Sequence, residues 1–245
     1  MTKPLIEAKG LNTYYGASHI LRGIDFVVGQ GETIGLMGRN GMGKSTLLKS
    51  LMGLVKPKSG SVKIMGNDMT ASAPYQIAQL GIAYVPEGRG IFANLSVVEN
   101  LKMAARPGRP RSGAGGTGQR DDWTYDRVLD TFPRLKERLG HGGQQLSGGE
   151  QQMLTIGRAL MTNPEVLILD EATEGLAPLI AREIWRICAV IRESGISSII
   201  VDKNWKHMTQ ITDRNVILVK GDVVFEGTSP QLLAQPELLE RYLGV

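Results

Sequence analysis

The chain has 245 residues, 42% of them hydrophobic, which is enough apolar material for a sizeable buried core. The net charge is +4, from 28 Lys and Arg against 24 Asp and Glu. This excess is too small to choose among phosphate, a membrane surface and nucleic acid as the partner. Because the sequence has no basic stripe interleaved with aromatic residues, we expect no nucleic-acid partner.

The longest apolar runs, such as residues 166–169 and 199–201, are far shorter than the roughly 18 to 20 residues that span a bilayer. We therefore predict no membrane-spanning helix. Residues 1–7 carry no apolar stretch followed by a cleavage site, which predicts a cytoplasmic location. Cys188 is the single cysteine, and its place on an apolar helical stripe predicts packing in the core.

The first third of the chain alternates strand and helix patterns. It predicts antiparallel strands at 6–15 and 19–28, a strand at 33–37, a helix at 44–52, a strand at 61–65, a turn at 66–68, a helix at 74–80 and a buried strand at 82–85.

After residue 86 the pattern becomes helical, at 97–105, 125–131 and 135–139, with polar or glycine-rich links. We predict an inserted helical lobe here. Residues 106–120 are rich in Gly, Pro and Arg and predict a mobile surface loop. Residues 113–118 formally match a dinucleotide-binding G-x-G-x-x-G, but no strand precedes them and no helix opens after them, so we reject that site.

Strand and helix alternate again in the last third, which indicates a layered α/β core with a largely parallel sheet. The predicted elements are a helix at 149–161, a strand at 166–170, helix 178–193, strand 197–201, helix 204–211, a hairpin at 216–219 and 223–225, and short helices near Gln231 and Leu238.

The segment from Gly38 to Ser45 follows a strand and opens a helix, the context of a nucleotide phosphate loop. Its glycines let backbone N–H groups point at phosphate oxygens, Lys44 neutralises the outer phosphates, and Ser45 offers a hydroxyl to magnesium. The predicted ATP-binding residues of this segment are Gly38, Asn40, Gly41, Gly43, Lys44, Ser45 and Thr46.

Asp170 ends the apolar strand predicted at 166–170, and Glu171 comes directly after it. At that place Asp170 can reach a metal ion held by the phosphate loop, and Glu171 can orient and deprotonate a water molecule. By itself such a pair would also fit helix capping; its position after the phosphate loop favours catalysis.

Leu146 to Gln152 read LSGGEQQ, about twenty residues before Asp170, and this string resembles the signature of ABC-type ATPases. The resemblance runs from Tyr15 to the final hairpin. It implies that Ser147, Gly148, Gly149 and Glu150 start a helix that meets the γ-phosphate bound to a second subunit. We expect the segment to have no use inside its own subunit, so that two chains form one working ATPase and a monomer hydrolyses ATP poorly.

The same resemblance implies an α/β fold with a phosphate-loop NTPase (RecA-like) core, an antiparallel β subdomain and an inserted α-helical subdomain. Residues 1–245 would form one domain. We expect the nucleotide-binding core in residues 1–86 and 151–245, and the helical subdomain in 87–150 with the signature at its end.

Tyr15 matches the aromatic position that stacks on adenine in this family, whereas Tyr14 should face the other way on the strand. A strand tyrosine packing on the core is the alternative. ATP and Mg²⁺ are the implied cofactors, with Ser45, Glu87 and Asp170 as the metal ligands.

The sequence around Glu87, Val85-Pro86-Glu87-Gly88-Arg89, carries Glu where most of the family has Gln and resembles the ATPases of branched-chain amino acid importers. Residues 173–178, TEGLAP, resemble the same subfamily, although Ala172 stands where proline is usual. This implies an importer ATPase for branched-chain amino acids or related solutes. Alternatives are an ATPase serving urea, amide, aromatic-acid or lipopolysaccharide transport, or a soluble ABC ATPase that acts outside transport.

Lys203 occupies the position of the family's usual switch histidine. We expect it to contact the γ-phosphate as a catalytic cation; the alternative is a solvated lysine with Asp202 capping the helix. His207 lies one helical turn later, where we expect an exposed helix face, although a swing towards the site stays open.

By the same resemblance, the partners are a second ABC ATPase subunit, similar but different or identical in isolation, two membrane permeases and, indirectly, a solute-binding protein. The chain would then lie on the inner face of the membrane. The apolar residues at 90–95 would grip a helix of a permease. Alternatively, Phe92 and Leu95 staple the lobe to the core.

Overall fold

The computed structural model of the chain describes residues 4–108 and 122–244. Most of the segment predicted as a mobile loop, residues 109–120, lies outside the described residues, and so does the glycine-rich string at 113–118.

Six strands form the central sheet, in the spatial order β10-β9-β3-β8-β7-β6. All neighbours are parallel except β10, which pairs antiparallel with β9. The predicted hairpin therefore extends the central sheet, because β9 also pairs with β3. In chain order the strands are β3 (Thr33–Met37), β6 (Ile82–Val85), β7 (Val166–Asp170), β8 (Ser197–Val201), β9 (Arg214–Val219) and β10 (Asp222–Thr228).

A smaller antiparallel sheet covers one side of the fold, in the order β2-β1-β4-β5. Its strands are β1 (Ile6–Tyr15), β2 (Ser18–Val28), β4 (Ser59–Ile64) and the two-residue β5 (Asn67–Asp68), which lies where the sequence predicted only a turn. The buried residues alternate along β1 and β2, as expected for strands with one face on a core.

Ten α-helices accompany the two sheets in the described residues. They are α1 (Lys44–Leu51), α2 (Pro74–Gln79), α3 (Val97–Ala104), α4 (Tyr125–Thr131), α5 (Pro133–Lys136), α6 (Gly148–Leu160), α7 (Pro178–Glu193), α8 (Trp205–Ile211), α9 (Ser229–Leu233) and α10 (Pro236–Leu243). The pattern at 135–139 predicted α5 too late, because Pro133 begins that helix at a position where no N–H is needed. None of the described helices combines the length and the apolar character that crossing a bilayer requires.

Two apolar clusters form the core. The first joins the small sheet, α1 and one face of the central sheet. The second covers the other face, with Leu167 and Leu169 of β7, and continues into the helical lobe, where Trp123 and Phe132 are fully buried. Cys188 of α7 belongs to this second cluster, as predicted. The lobe and the central sheet therefore share one continuous core.

Every residue of β3, β7 and β8 is buried. Parallel strands covered on both faces need apolar residues on both sides, which explains the runs Val-Leu-Ile-Leu in β7 and Ile-Ile-Val in β8. The predicted layered α/β arrangement is confirmed. It brings the carboxyl ends of β3 and β7 to the same edge of the sheet, and the candidate site lies there.

Candidate functional site

The loop between β3 and α1 is shaped by its glycines. Gly38, Gly41 and Gly43 all have positive φ, at 142°, 77° and 105°. A side chain at Gly38 would overlap the Leu218 carbonyl oxygen, so only glycine fits there. Gly43 is the N-cap of α1 and provides no side-chain cap, and the first turn has no acidic residue. The first N–H groups of α1 are therefore available to an anion.

Lys44 points back into this loop. Its Nζ donates to the carbonyl oxygens of Gly38 at 2.8 Å and Arg39 at 3.1 Å, and lies 4.0 Å from the Glu171 carboxylate. The side chain is only 6% exposed, and this burial lowers the pKa of Lys44 against the opposing effect of Glu171 and Asp170. An ammonium group thus lies where the loop would hold a phosphate. Of its neighbours, Asn40 and Gly41 are exposed and Thr46 is buried.

Asp170 ends β7 almost fully buried, and each of its oxygens has a hydroxyl partner. The Ser45 hydroxyl donates to Oδ1 at 3.3 Å, and the Tyr84 hydroxyl donates to Oδ2 at 2.9 Å. Burial raises the pKa of Asp170, although these two hydrogen bonds oppose the shift. The predicted metal ligands Ser45 and Asp170 are therefore adjacent in the fold, 125 residues apart in the chain.

Tyr84 was not predicted. It lies in β6 opposite Ile168 of β7, so its side chain leaves the same face of the sheet as Asp170, two residues further along β7. The only local signal is a hydroxyl-bearing aromatic residue inside an otherwise apolar strand.

Glu171 directly follows β7 in the left-handed region, with φ of 52°, and its N–H donates to the Val201 carbonyl at 2.8 Å. Its side chain is 10% exposed. Burial, together with a hydrogen bond to the Glu174 carboxylate and that group's charge, raises the pKa of Glu171 to about 7, while Lys44 and Lys203 pull it down. The predicted base therefore lies beside a second carboxylate, that of Glu174, which favours its protonated form.

The predicted metal ligand Glu87 is exposed and joins this group. One carboxylate oxygen of Glu87, one of Glu171 and one of Glu174 all lie within 4.8 Å of one another. The structure thus brings Glu87 to the candidate site, at the side of the predicted base.

Lys203 lies at the same place. Its Nζ contacts the Glu174 carboxylate directly and lies 3.9 Å from Glu171, although the side chain is 54% exposed. The alternative in which Asp202 caps α8 is wrong. Asn204 caps that helix, and the Asp202 carboxylate instead accepts from Thr173 Oγ at 2.5 Å and from the Asn204 N–H at 2.9 Å.

His207 was expected on an exposed helix face, and this is also wrong. Its ring is half-buried and stacks on Trp185 of α7, with ring centroids 5.6 Å apart. An aromatic partner in the neighbouring helix thus covers the ring.

Ser147 is the N-cap of α6, as the signature pattern implied. Its hydroxyl accepts from the Glu150 N–H at 3.3 Å, and the Glu150 carboxylate accepts from the Ser147 N–H at 2.7 Å, which makes a reciprocal capping box. Glu150 also lies 3.4 Å from Arg138. Ser147 itself is exposed.

The signature glycines pack inside their own subunit. A Cβ at Gly149 would lie 2.5 Å from the Ile180 side chain of α7, and one at Gly148 would overlap the Arg89 guanidinium. The expectation that this segment has no use inside its own chain is therefore wrong: it caps α6 and lets α7 approach closely. The sequence pattern did not reveal this structural role of the signature segment, because its packing partners lie far away in sequence.

Tyr15 ends β1 with 47% of its surface exposed, so the alternative of a core tyrosine is wrong. Tyr14 has local partners instead: it stacks on His19, with centroids 4.1 Å apart, and Lys58 Nζ lies 4.9 Å from its ring centroid. Of the two tyrosines, Tyr15 is therefore the one whose ring is exposed and available for stacking.

A cleft of about 980 Å³ opens between the core and the helical lobe. Its walls come from α2, β6, the end of α6 and the segment after α3, and they include Met52, Leu54, Tyr75, Tyr84, Arg106 and Arg158. Tyr75 and Leu54 are 65% and 51% exposed. The cleft thus combines exposed apolar side chains with the two arginines.

The segment at 90–95 borders the cleft. Phe92 is 47% exposed, and the Arg158 guanidinium lies 4.4 Å from its ring centroid, so Phe92 does not staple the lobe to the core. Ile91 packs on the core instead. The buried Asn100 side chain fixes the segment by accepting from the Phe92 N–H and donating to the carbonyls of Phe92 and Leu95.

One edge of the parallel sheet thus brings together a glycine-rich loop, a buried lysine, a hydroxyl, an aspartate at a strand end and a buried glutamate. This combination defines a phosphate-loop nucleoside triphosphatase.

Comparisons with known proteins agree with this class of protein. The family model described as ABC transporter matches residues 21–174. The high-affinity branched-chain amino acid transport ATP-binding protein BraG of Pseudomonas aeruginosa is 40% identical over 236 residues, covering 96% of this chain and 97% of BraG. The lipopolysaccharide export system ATP-binding protein LptB of Escherichia coli is 32% identical over 239 residues, covering 98% and 97%.

Among solved structures, the ADP conformation of MJ1267, an ATP-binding cassette of an ABC transporter, superimposes over 100% of both chains, with a TM-score of 0.80 and 25% identity. The chain belongs to the ABC transporter family and is an ATP-binding, ATP-hydrolysing subunit. The expected α/β phosphate-loop fold is thereby confirmed.

Proposed function

We propose that this chain is the ATPase subunit of an importer for branched-chain amino acids or related solutes. The observation that best supports ATP hydrolysis is that Lys44, Asp170 and Glu171 lie together, with Lys44 Nζ 4.0 Å from the Glu171 carboxylate. The similarity to BraG, higher than that to LptB, supports the solute class.

ATP binding is assigned to the loop and its flanks. The N–H groups of the loop and of the first turn of α1 would hold the phosphates, Lys44 would leave the Gly38 and Arg39 carbonyls for the outer phosphates, and the exposed Tyr15 ring would stack on adenine. The other phosphate-loop residues of the proposal are Asn40, Gly41, Gly43, Ser45 and Thr46.

The donor set at Ser45 and Asp170 fits Mg²⁺, because a hydroxyl and a carboxylate are the hard oxygen ligands that this ion prefers. Glu87 is the third ligand of the proposal. When bound, Mg²⁺ supplies positive charge to the phosphate oxygens.

Glu171 is the proposed general base. Its raised pKa places the carboxyl close to the range in which a base accepts a proton efficiently at neutral pH. Lys203, beside both Glu171 and Glu174, is the proposed cation that faces the γ-phosphate and stabilises charge as the phosphoryl group leaves.

The signature residues Ser147, Gly148, Gly149 and Glu150 are proposed to contact ATP on a second subunit. The exposed N-terminus of α6, with its capping serine, offers N–H groups to an anion from outside the chain. The second subunit would be a similar ABC ATPase, or another copy of this chain in isolation.

The cleft is proposed to receive a short helix of a membrane permease, with two permeases per complex and a solute-binding protein acting through them. Its lining includes the exposed Tyr75 and Leu54, which offer apolar contacts to a partner helix, and the charged Arg106. The chain would accordingly sit on the cytoplasmic face of the membrane.

Purification of the tagged chain from detergent-solubilised cells tests this proposal. We expect two polytopic membrane proteins and a second ABC ATPase in stoichiometric amounts. They should be lost on Tyr75→Asp in the cleft but not on Leu233→Asp on α9.

Reconstituted with a solute-binding protein, the complex should hydrolyse ATP faster with leucine present. Co-purification of ribosomes or nucleic acid would contradict it and favour a soluble ABC ATPase; stimulation by lipopolysaccharide alone would favour the export alternative.

A further inference from the structure

Tyr84 belongs both to the cleft and to the candidate catalytic site, to which the proposed function gives separate roles. Tyr84 is one of the residues that line the cleft, and its hydroxyl donates a 2.9 Å hydrogen bond to Asp170 Oδ2. No other residue lining the cleft has a described hydrogen bond to Asp170.

The Tyr84 hydroxyl helps to fix the Asp170 carboxylate. Asp170 is 1% exposed, so its oxygens depend on protein partners, and these are Ser45 on Oδ1 and Tyr84 on Oδ2. A hydrogen bond to a buried carboxylate is charge-assisted and strong. Rotation of the carboxylate would break one of the two bonds.

Tyr84 lines the cleft next to α2. Helix α2 packs on β6, so the strand that carries Tyr84 is also the strand that supports the cleft wall. Tyr75 of α2 lines the same cleft and is largely exposed. A group that enters the cleft therefore meets the residue whose hydroxyl holds Asp170.

We propose that Tyr84 is a positioning residue that transmits occupancy of the cleft to Asp170, and so to the affinity of the site for the metal–nucleotide complex. The identity of the natural occupant, a helix of a membrane permease, rests on the proposed function. The link itself is a property of this chain alone.

The first test removes only the hydroxyl. Tyr84→Phe keeps the ring, so the fold and the ATP affinity in EDTA should stay unchanged. The affinity for Mn²⁺ in the presence of ATP, measured by electron paramagnetic resonance of free Mn²⁺, should fall about tenfold, as for other groups that orient a metal ligand. Tyr125→Phe, on α4, is the matched control. Unchanged Mn²⁺ affinity in Tyr84→Phe would overturn the positioning role.

The second test fills the cleft without a permease. Cys188 is buried, and burial raises the pKa of its thiol to about 12, so a maleimide should react with an introduced cysteine instead. Pyrene maleimide on Tyr75→Cys should change the Mn²⁺ affinity at least about fivefold when Tyr84 is present and leave it unchanged in the Tyr84→Phe background. The same label on Leu233→Cys, outside the cleft, is the control.

An effect of the label that is equal in both backgrounds, or no effect in either, would overturn the transmission. Because neither test uses a permease, these results are independent of the co-purification experiment. If permeases are absent there but the Tyr75→Cys label acts through Tyr84, the link stands and only the occupant is wrong.

Discussion

Thr173 Oγ donates a 2.5 Å hydrogen bond to the Asp202 carboxylate and thereby joins the loop after β7 to the loop after β8. The contact of Lys203 with Glu174 joins the same two loops a second time. Both bonds link residues that are 29 positions apart. The proposed base Glu171 begins the first loop, so its surroundings depend on the second.

Removing the Thr173 hydroxyl tests this junction. Thr173→Val keeps the side-chain shape but leaves Asp202 without one partner, which should cost about 1–3 kcal/mol of the free energy of unfolding and lower ATP turnover several-fold. Urea denaturation and steady-state hydrolysis measure the two effects. Thr209→Val on α8, whose hydroxyl donates to the Lys206 carbonyl of the same helix, is the control. Wild-type values of both quantities would mean that the junction is unimportant.

Glu171→Gln removes the proposed base while preserving the shape of the side chain. We expect turnover to fall by about a hundredfold to ten-thousandfold, with ATP binding intact and an ATP-dependent dimer that persists during size-exclusion chromatography. Glu174→Gln is the comparison, because it removes the neighbouring carboxylate and leaves the base. Retained turnover in Glu171→Gln would move the role to another residue.

Lys203→Ala removes the proposed catalytic cation. Turnover at saturating ATP should fall about tenfold to a hundredfold, because charge on the departing phosphoryl group loses one stabilising partner. The neighbouring Lys206→Ala, whose ammonium lies over the Trp205 ring, controls for net charge. Unchanged turnover at saturating ATP in Lys203→Ala would remove the catalytic assignment.

Ser147 allows capping and the contact with a second subunit to be separated. Ser147→Ala should cost about 1 kcal/mol of stability, because the Glu150 N–H loses its acceptor, and should also lower turnover. Ser147→Asp caps a helix as well as serine does, so stability should be kept. Its negative charge should nevertheless abolish ATP-dependent dimerisation. Normal dimerisation in Ser147→Asp would contradict a γ-phosphate contact at this position.

Gly149→Ala tests the packing inside the chain. The new Cβ would lie 2.5 Å from the Ile180 side chain, and overpacking of this kind costs about 1–3 kcal/mol. Ile180→Ala in the same chain should restore part of that loss by removing the overlapping atoms. Thermal unfolding of the two single variants and the double variant measures the coupling. Additive effects would show that these residues do not meet.

The strands of the central sheet could be predicted because their signals are local. The strands β3, β6, β7 and β8 have the bounds that their apolar runs and flanking turns indicate. The phosphate loop and Asp170 could be placed for the same reason, since the loop directly follows β3 and Asp170 is the last residue of β7.

Contacts between distant parts of the chain could not be predicted in this way. Periodicity says which face of an element is buried, but it does not say which neighbour covers that face. The stacking of His207 on Trp185 and the hydrogen bond from Tyr84 to Asp170 both join separate elements. The Ile180 side chain beside Gly149 belongs to the same class of contact, and it revealed the second use of the signature segment.

Helix α6 carries the signature cap at one end, and in its last turn Arg158 donates to the Gly90 carbonyl at the border of the cleft. Its 13 residues make a rod about 20 Å long. A tilt of about 10° around the middle of such a rod would displace each end by about 1.7 Å, in opposite directions. A displacement of that size breaks hydrogen bonds at both tips, so the two ends of α6 cannot be repositioned independently.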